Sequence, residues 1–137
     1  MKRATLYTDG GARGNPGPAA IGFVLTGIGS VPILFKKYLG KATNNQAEYQ
    51  ALLAGLSRAK KEGVKDLMCY LDSELVVKQV RGEYRVKNED LKKILHEIRI
   101  LLPYFTSVTF QHVPRAKNKI ADGLVNEALD AHNKTPL

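Results

Sequence analysis

A chain of 137 residues, 44% hydrophobic and 25% charged, is long enough to bury a core and too apolar for a disordered polyelectrolyte, so a single domain over 1–137 is expected. No apolar run reaches the length of a bilayer span, and Met1-Lys2-Arg3 leads into strand-like sequence rather than a signal-peptide core, which sets a membrane aside and points to the cytoplasm. The 21 basic against 13 acidic residues give +8 and a pI near 9.6; this suits a polyanionic partner or simply a soluble basic surface, and placement must decide.

The first strand is predicted over residues 4–9. It ends on Asp9 and runs into Gly10-Gly11-Ala12-Arg13-Gly14-Asn15-Pro16-Gly17-Pro18, so a carboxylate stands at a strand end beside backbone open to close approach. Residues 19–25 and 33–39, joined through Ser30-Val31-Pro32, complete an antiparallel meander of three strands. Thr43 caps a helix running to about residue 62, where Gly63 ends it, with Tyr49, Leu52, Leu56 and Ala59 as its apolar stripe. At 100° per residue Glu48 falls inside that stripe, where an ionised group is costly to bury and calls for a cationic neighbour. Residues 64–72 form a fourth strand, in which Cys69, the lone cysteine, alternates with Leu67 and Leu71 as a buried small hydrophobe. Ser73 caps a short helix to about residue 81. Asn88 caps another that carries Leu91, Ile94, Leu95 and Ile98 and stops at Pro103. A fifth strand follows at 107–113. The last helix starts at 117 or 118 and runs to about 132, with Ala121, Val125, Ala128 and Leu129 inward and Asp122 at the edge of that stripe. This order predicts an α/β fold: a five-stranded mixed sheet, three strands antiparallel and then parallel crossovers, flanked by helices.

Two strands end alike, Tyr7-Thr8-Asp9 before Gly10 and Tyr70-Leu71-Asp72 before Ser73. As parallel neighbours in register they would lie about 4.8 Å apart, bringing two carboxylates together at the usual ligand-binding edge of such a sheet. Glu48 and Asp122 are placed to close the cluster. Taken singly, a strand-end Asp is a turn former and a helical Glu a solvated charge. Together, four acids cannot all stay ionised without a counter-charge. Either some are protonated or hard divalent cations sit among them, and oxygen-only ligands fit Mg²⁺ or Mn²⁺ rather than Zn²⁺. A pair of such ions roughly 3.5–4 Å apart activates a water and stabilises the leaving oxygen in phosphodiester hydrolysis. With these four set aside, 21 basic residues face nine acidic ones, and a negative metal site on a basic body suits a nuclease.

Four motifs stand in order: Tyr7-Thr8-Asp9-Gly10-Gly11 with Gly14-Asn15-Pro16-Gly17, Thr43-Asn44-Asn45-Gln46-Ala47-Glu48, Asp72-Ser73, and Asn118-Lys119-Ile120-Ala121-Asp122. Through them the chain resembles a type 1 ribonuclease H over nearly its whole length. The resemblance implies a ribonuclease H-like fold and endonucleolytic cleavage of the RNA strand of an RNA/DNA hybrid, giving 5′-phosphate and 3′-hydroxyl ends. It implies two Mg²⁺ ions per site, with Mn²⁺ as a substitute: Asp9 would bridge both, Glu48 and Asp72 would complete one site and Asp122 the other. Backbone groups from Gly10 and Gly11 to Gly14, with Glu48, would touch 2′-hydroxyls, the groups that separate RNA from DNA. Asn15, Thr43 and Asn44 would hold phosphates near a helix N-terminus, and Arg13, Asn45 and Ser73 also fall on the substrate side.

Two departures qualify the transfer. Many relatives carry a histidine in a longer loop before the last helix, whereas here that loop is Pro114-Arg115-Ala116-Lys117, and His112 falls in the strand as a core or edge residue. Arg115 is expected to take part of that role, with Lys117 and Asn118 as auxiliary candidates. Some relatives also carry a basic, Trp-containing protrusion after the short helix. This chain has no Trp, and Lys78, Arg81, Arg85 and Lys87 are the expected grip. A monomer is expected, with double-stranded RNA as a second candidate partner. Two other functions stay open: a hybrid- or double-stranded-RNA-binding module without turnover, against which the four acids speak, and a sibling nuclease that cuts DNA.

Overall fold

The computed structural model describes residues 3–133; Met1 and Lys2, part of the N-terminal segment considered above, lie outside them. Strands β1 (Arg3–Ala12), β2 (Gly17–Thr26), β3 (Ile33–Ala42), β4 (Asp66–Leu71) and β5 (Ser107–His112) form one sheet in the order β3-β2-β1-β4-β5. The first three pair antiparallel, and β4 pairs parallel with both β1 and β5, which is the expected mixed sheet. Four α-helices connect and cover it among the described residues: α1 (Asn44–Lys61), α2 (Glu74–Val80), α3 (Glu89–Leu101) and α4 (Lys119–Asn133). Thr43, Ser73 and Asn88 cap α1, α2 and α3, each side chain accepting from a backbone N–H in the first turn. Pro103 turns the end of α3 into a 3-10 segment.

Strand alternation divides the side chains between two layers. On one face Leu6, Phe23, Leu25 and Leu67 pack with Leu52 and Leu56 of α1, Val76 and Val77 of α2 and Ile98 of α3. Cys69 is buried there, and burial pushes its thiol pKa well up. Tyr49 is buried too, its hydroxyl donating to Gln79 Oε1 at 2.6 Å. The other face is covered by α4, where Leu124, Val125, Ala128 and Leu129 lie over Ala20 and Val24 of β2. Helices on both faces leave the carboxyl ends of β1 and β4 open between the N-terminal turns of α1 and α4. No helix among the described residues is long and apolar enough to cross a membrane.

The β1–β2 hairpin is longer than the sequence suggests. Gly10, Gly11 and Ala12 are not loop but strand, paired with Ile21, Ala20 and Ala19. A ladder uses only backbone groups, so glycine supports it, and what glycine supplies here is room on the sheet face rather than a break in the strand.

Candidate active site

β1 and β4 run in parallel register with Tyr7 opposite Tyr70 and Thr8 opposite Leu71, so Asp9 and Asp72 leave the sheet side by side. The tyrosines of the two Tyr-x-Asp pairs stack at 5.0 Å, on the same face as their aspartates. Glu48 arrives from α1 because Gly10 has no side chain: a Cβ there would overlap the Ala47 carbonyl and come within 2.6 Å of the Glu48 nitrogen. Gly22 does the same for α4, since a Cβ at that point would lie 2.8 Å from Leu124 Cβ and 2.9 Å from the Ala121 oxygen. Carboxylate oxygens of Asp9, Glu48 and Asp72 all lie within 4.8 Å of one another. Asp122, in the first turn of α4, lines the same cavity of about 540 Å³ and shares a hydrogen bond with Asp9.

Crowding shows in the proton affinities. Burial first, then the charges of Asp72 and Glu48 and the hydrogen bond to Asp122, push Asp9 from 3.8 up to about 8; its residue is only 8% exposed. Burial and then Asp72 push Glu48 up to about 7, against the opposing pull of a hydrogen bond from Ser73 and the charge of Arg115. Among the described residues the cation whose charge reaches Glu48 is this guanidinium, and the carboxylates expected to cluster with Glu48 surround it as well. Arg115 Nη2 lies 3.4 Å from Asp122 Oδ1 with its side chain 81% exposed, so water screens most of its compensation. A compact set of oxygen donors, partly buried and short of positive charge, fits a hard divalent cation.

The remaining candidates divide into those free to meet a ligand and those used inside the protein. Asn15 Oδ1 accepts from Asn44 N–H at 3.0 Å, and Asn44 Oδ1 accepts from Ala12 N–H at 2.8 Å, pinning the β1–β2 turn to α1. Both amide NH₂ groups have no partner among the described residues. Thr43 and Gln46 form a reciprocal cap. Asn45 is exposed, and Arg13 is tied to Asp130 of α4 at 2.7 Å. Gly11 lines the cavity, and Gly14 adopts φ +98° at the exposed turn. Ser73 is occupied internally, accepting from Val76 N–H at 3.2 Å and bonding Glu48.

Asn118 is 1% exposed. Its Nδ2 donates to Thr8 O at 2.8 Å and to Asp72 Oδ2 at 3.3 Å, joining the ends of β1 and β4. Lys117 lines a different cavity, with Tyr7, Val24 and Ile120. His112 is an exposed residue of edge strand β5, 3.9 Å from Glu74. Of the expected basic grip, Lys78 pairs with Glu74 and lies over Tyr84, while Arg81 bonds the Phe110 carbonyl and Glu83, which leaves Arg85 and Lys87. Asn126 also lines the carboxylate cavity and escaped notice in the sequence, although it stands one turn beyond Asp122 on the same helix face.

A family model described as reverse transcriptase-like matches residues 7–128. Ribonuclease HI of Halobacterium salinarum is 46% identical over 93% of this chain and 65% of its own length. A "Bifunctional protein" of Mycobacterium tuberculosis is 42% identical over 94% of this chain, which spans only 36% of that relative. Among solved structures, RNase H1 from Halobacterium salinarum superposes with a TM-score of 0.89, covering 94% of this chain and 98% of that one. LC11-RNase H1 in complex with an RNA/DNA hybrid superposes with a TM-score of 0.87 at 41% identity, covering 96% and 99%. Sheet order, helix placement and these likenesses agree: the chain belongs to the type 1 ribonuclease H family of enzymes.

Proposed function

We propose that the chain hydrolyses the RNA strand of RNA/DNA hybrids endonucleolytically, leaving 5′-phosphate and 3′-hydroxyl ends, with two Mg²⁺ ions or Mn²⁺ in their place. The observation that carries this is the convergence of Asp9, Glu48 and Asp72 oxygens within 4.8 Å of one another; the hybrid-bound LC11 neighbour supports the substrate. Asp9, Glu48, Asp72 and Asp122 would hold these ions, Asp9, Glu48 and Asp72 as the compact group and Asp122 beside them in the same cavity. Divalent ions bound by these carboxylates would supply Lewis acidity, activating a water and offsetting charge on the leaving oxygen.

The protein's own part is to hold charge in place. Ser73 fixes Glu48, and Asn118 fixes Asp72 against the end of β1. Arg115, a guanidinium that stays protonated, contributes positive charge beside Asp122 rather than exchanging protons. Asn15 and Asn44 amides and the Thr43 hydroxyl donate to phosphates at the N-terminus of α1, where the helix dipole favours anions. Backbone groups of residues 10–14, with Glu48, meet 2′-hydroxyls and so favour RNA over DNA.

Labelled RNA/DNA hybrid, double-stranded RNA and duplex DNA, incubated side by side with Mg²⁺, Mn²⁺ or EDTA, test this. Hybrid should be cut only where a metal is present, and duplex DNA should survive. Asp9→Asn and Asp72→Asn should bind hybrid without cutting it. Mg²⁺-dependent cleavage by Asp9→Asn overturns the residue assignment, and a wild-type chain that binds hybrid without cutting it is a binding module instead.

A further inference from the structure

We propose that a second cavity, behind the loop that carries Arg115, binds a free 5′-mononucleotide, its base against Tyr7 and its phosphate between Lys117 and Lys119. This goes beyond hybrid cleavage and does not depend on it. The cavity has a volume of about 310 Å³. Small-molecule sites run from about 300 to 1,000 Å³, so a base and its sugar fit with the phosphate at the mouth. Its floor is the sheet, where Tyr7 of β1 stands opposite Val24 of β2 and both pack toward α4. Its roof is residues 116–121, the end of a 3-10 turn (Arg115–Lys117) and the first turn of α4. The Tyr7 ring is held by its stack on Tyr70, and Ile120, 62% exposed, is a large apolar side chain left at the rim rather than in the core. A flat aromatic ring gains from burial in such a slot and from stacking on the tyrosine.

The mouth has the opposite character. Lys117 and Lys119 are both exposed there, no carboxylate lines the cavity, and neither lysine carries an ion pair among the described residues. Asn118 lines the cavity too and is 1% exposed, and its Oδ1 has no partner among the described residues. It stands just before α4, where Thr43, Ser73 and Asn88 stand before the other helices, yet its side chain does not cap. Its Nδ2 is committed to Thr8 O and Asp72 Oδ2, which leaves a buried acceptor over. An N–H donor on a base edge satisfies that oxygen. A phosphate, with about two negative charges, matches the two lysines and is favoured by the N–H groups of the first helical turn. An inorganic anion would leave the apolar slot bare, and a neutral ring would leave the lysines unmatched; a mononucleotide meets both.

The roof also separates this cavity from the carboxylates. Arg115 and Asp122, at its two ends, line the carboxylate cavity, whereas residues 116–121 between them line this one. An occupant therefore lies behind Asn118 and the Arg115 loop, and a duplex on the carboxylate side does not compete with it.

The test titrates AMP, adenosine and ribose 5-phosphate into the isotope-labelled full chain in EDTA, read by amide chemical shifts and calorimetry. AMP should bind with a Kd below about 1 mM, and adenosine and ribose 5-phosphate each at least about tenfold more weakly. The shifts should fall at Tyr7, Val24, Thr26 and residues 116–121. Lys117→Gln/Lys119→Gln and Ile120→Ala alter exposed side chains, so melting temperatures should hold while each weakens AMP by at least about fivefold. Saturating hybrid should leave AMP bound. No binding at about 10 mM AMP, ribose 5-phosphate binding as well as AMP, shifts confined to residues 10–15 and 43–48, displacement by hybrid, or wild-type affinity in both variants each overturns the proposal. Every arm is read without metal or cleavage, so its failure leaves the hybrid-cleaving function standing, and a chain that cuts no hybrid leaves this site standing.

Discussion

Asp9 is the residue on which opposing requirements meet. Folding buries it beside three other acids, so the folded chain binds its proton more tightly than the unfolded chain does. Between its ordinary 3.8 and about 8 the folded state holds more protons, and stability of the metal-free protein should fall as pH rises across that window. Asp9→Asn removes the repulsion and should raise the metal-free melting temperature at pH 8 by roughly 3–8 °C. Mg²⁺ should raise the wild-type value and leave the variant nearly unmoved, as thermal melts with and without EDTA will show. Asn118 is a second test at this scale. Its buried Oδ1 has no partner among the described residues, while its donor end joins Thr8 and Asp72. Asn118→Ala should weaken Mg²⁺ binding about 10–100-fold by calorimetric titration, more than a structural defect far from the cluster would. Arg115→Ala should lower turnover while hybrid binding in EDTA changes by no more than about twofold, and wild-type turnover would remove Arg115 from the site.

At the scale of elements, the cluster depends on how near two helices come to the sheet. Gly10 and Gly22 are the contact points, and a methyl group at Gly10 meets backbone of α1 rather than a side chain that can swing away. Gly10→Ala should therefore cost about 2–4 kcal/mol in denaturant unfolding and displace Glu48, with cleavage lost beyond what the stability change explains. The Asn15–Asn44–Ala12 hydrogen bonds then set the turn after β1 against the first turn of α1. Helix caps and strand alternation were readable locally, because Thr43, Ser73 and Asn88 act on their own first turns. That Gly10 and Gly11 continue β1 was not, because glycine sequences look alike in a turn and under a closely packed helix.

Over the whole molecule a net charge of +8 surrounds a site made of acids, so attraction for a polyanion and repulsion from the site's own carboxylates act together. Hybrid affinity in EDTA should fall on the order of 10²-fold between 50 and 200 mM salt, checked by fluorescence anisotropy. Which cations contribute is a tertiary matter. Lys78 and Arg81 look available in the sequence but are spent on Glu74, Glu83 and the Phe110 carbonyl.

The order of strands and helices, the pairing of two Tyr-x-Asp strand ends, and the identity of four acids out of place for a simple core were determined by the sequence alone. These follow from period, capping and the cost of burying charge, which act over a few residues. Tertiary structure alone decided that Ser73 and Asn118 serve those acids from within, and which basic residues are paired with acids. Such outcomes depend on distances between residues far apart in the chain, set by the approach of α1 and α4 to the sheet.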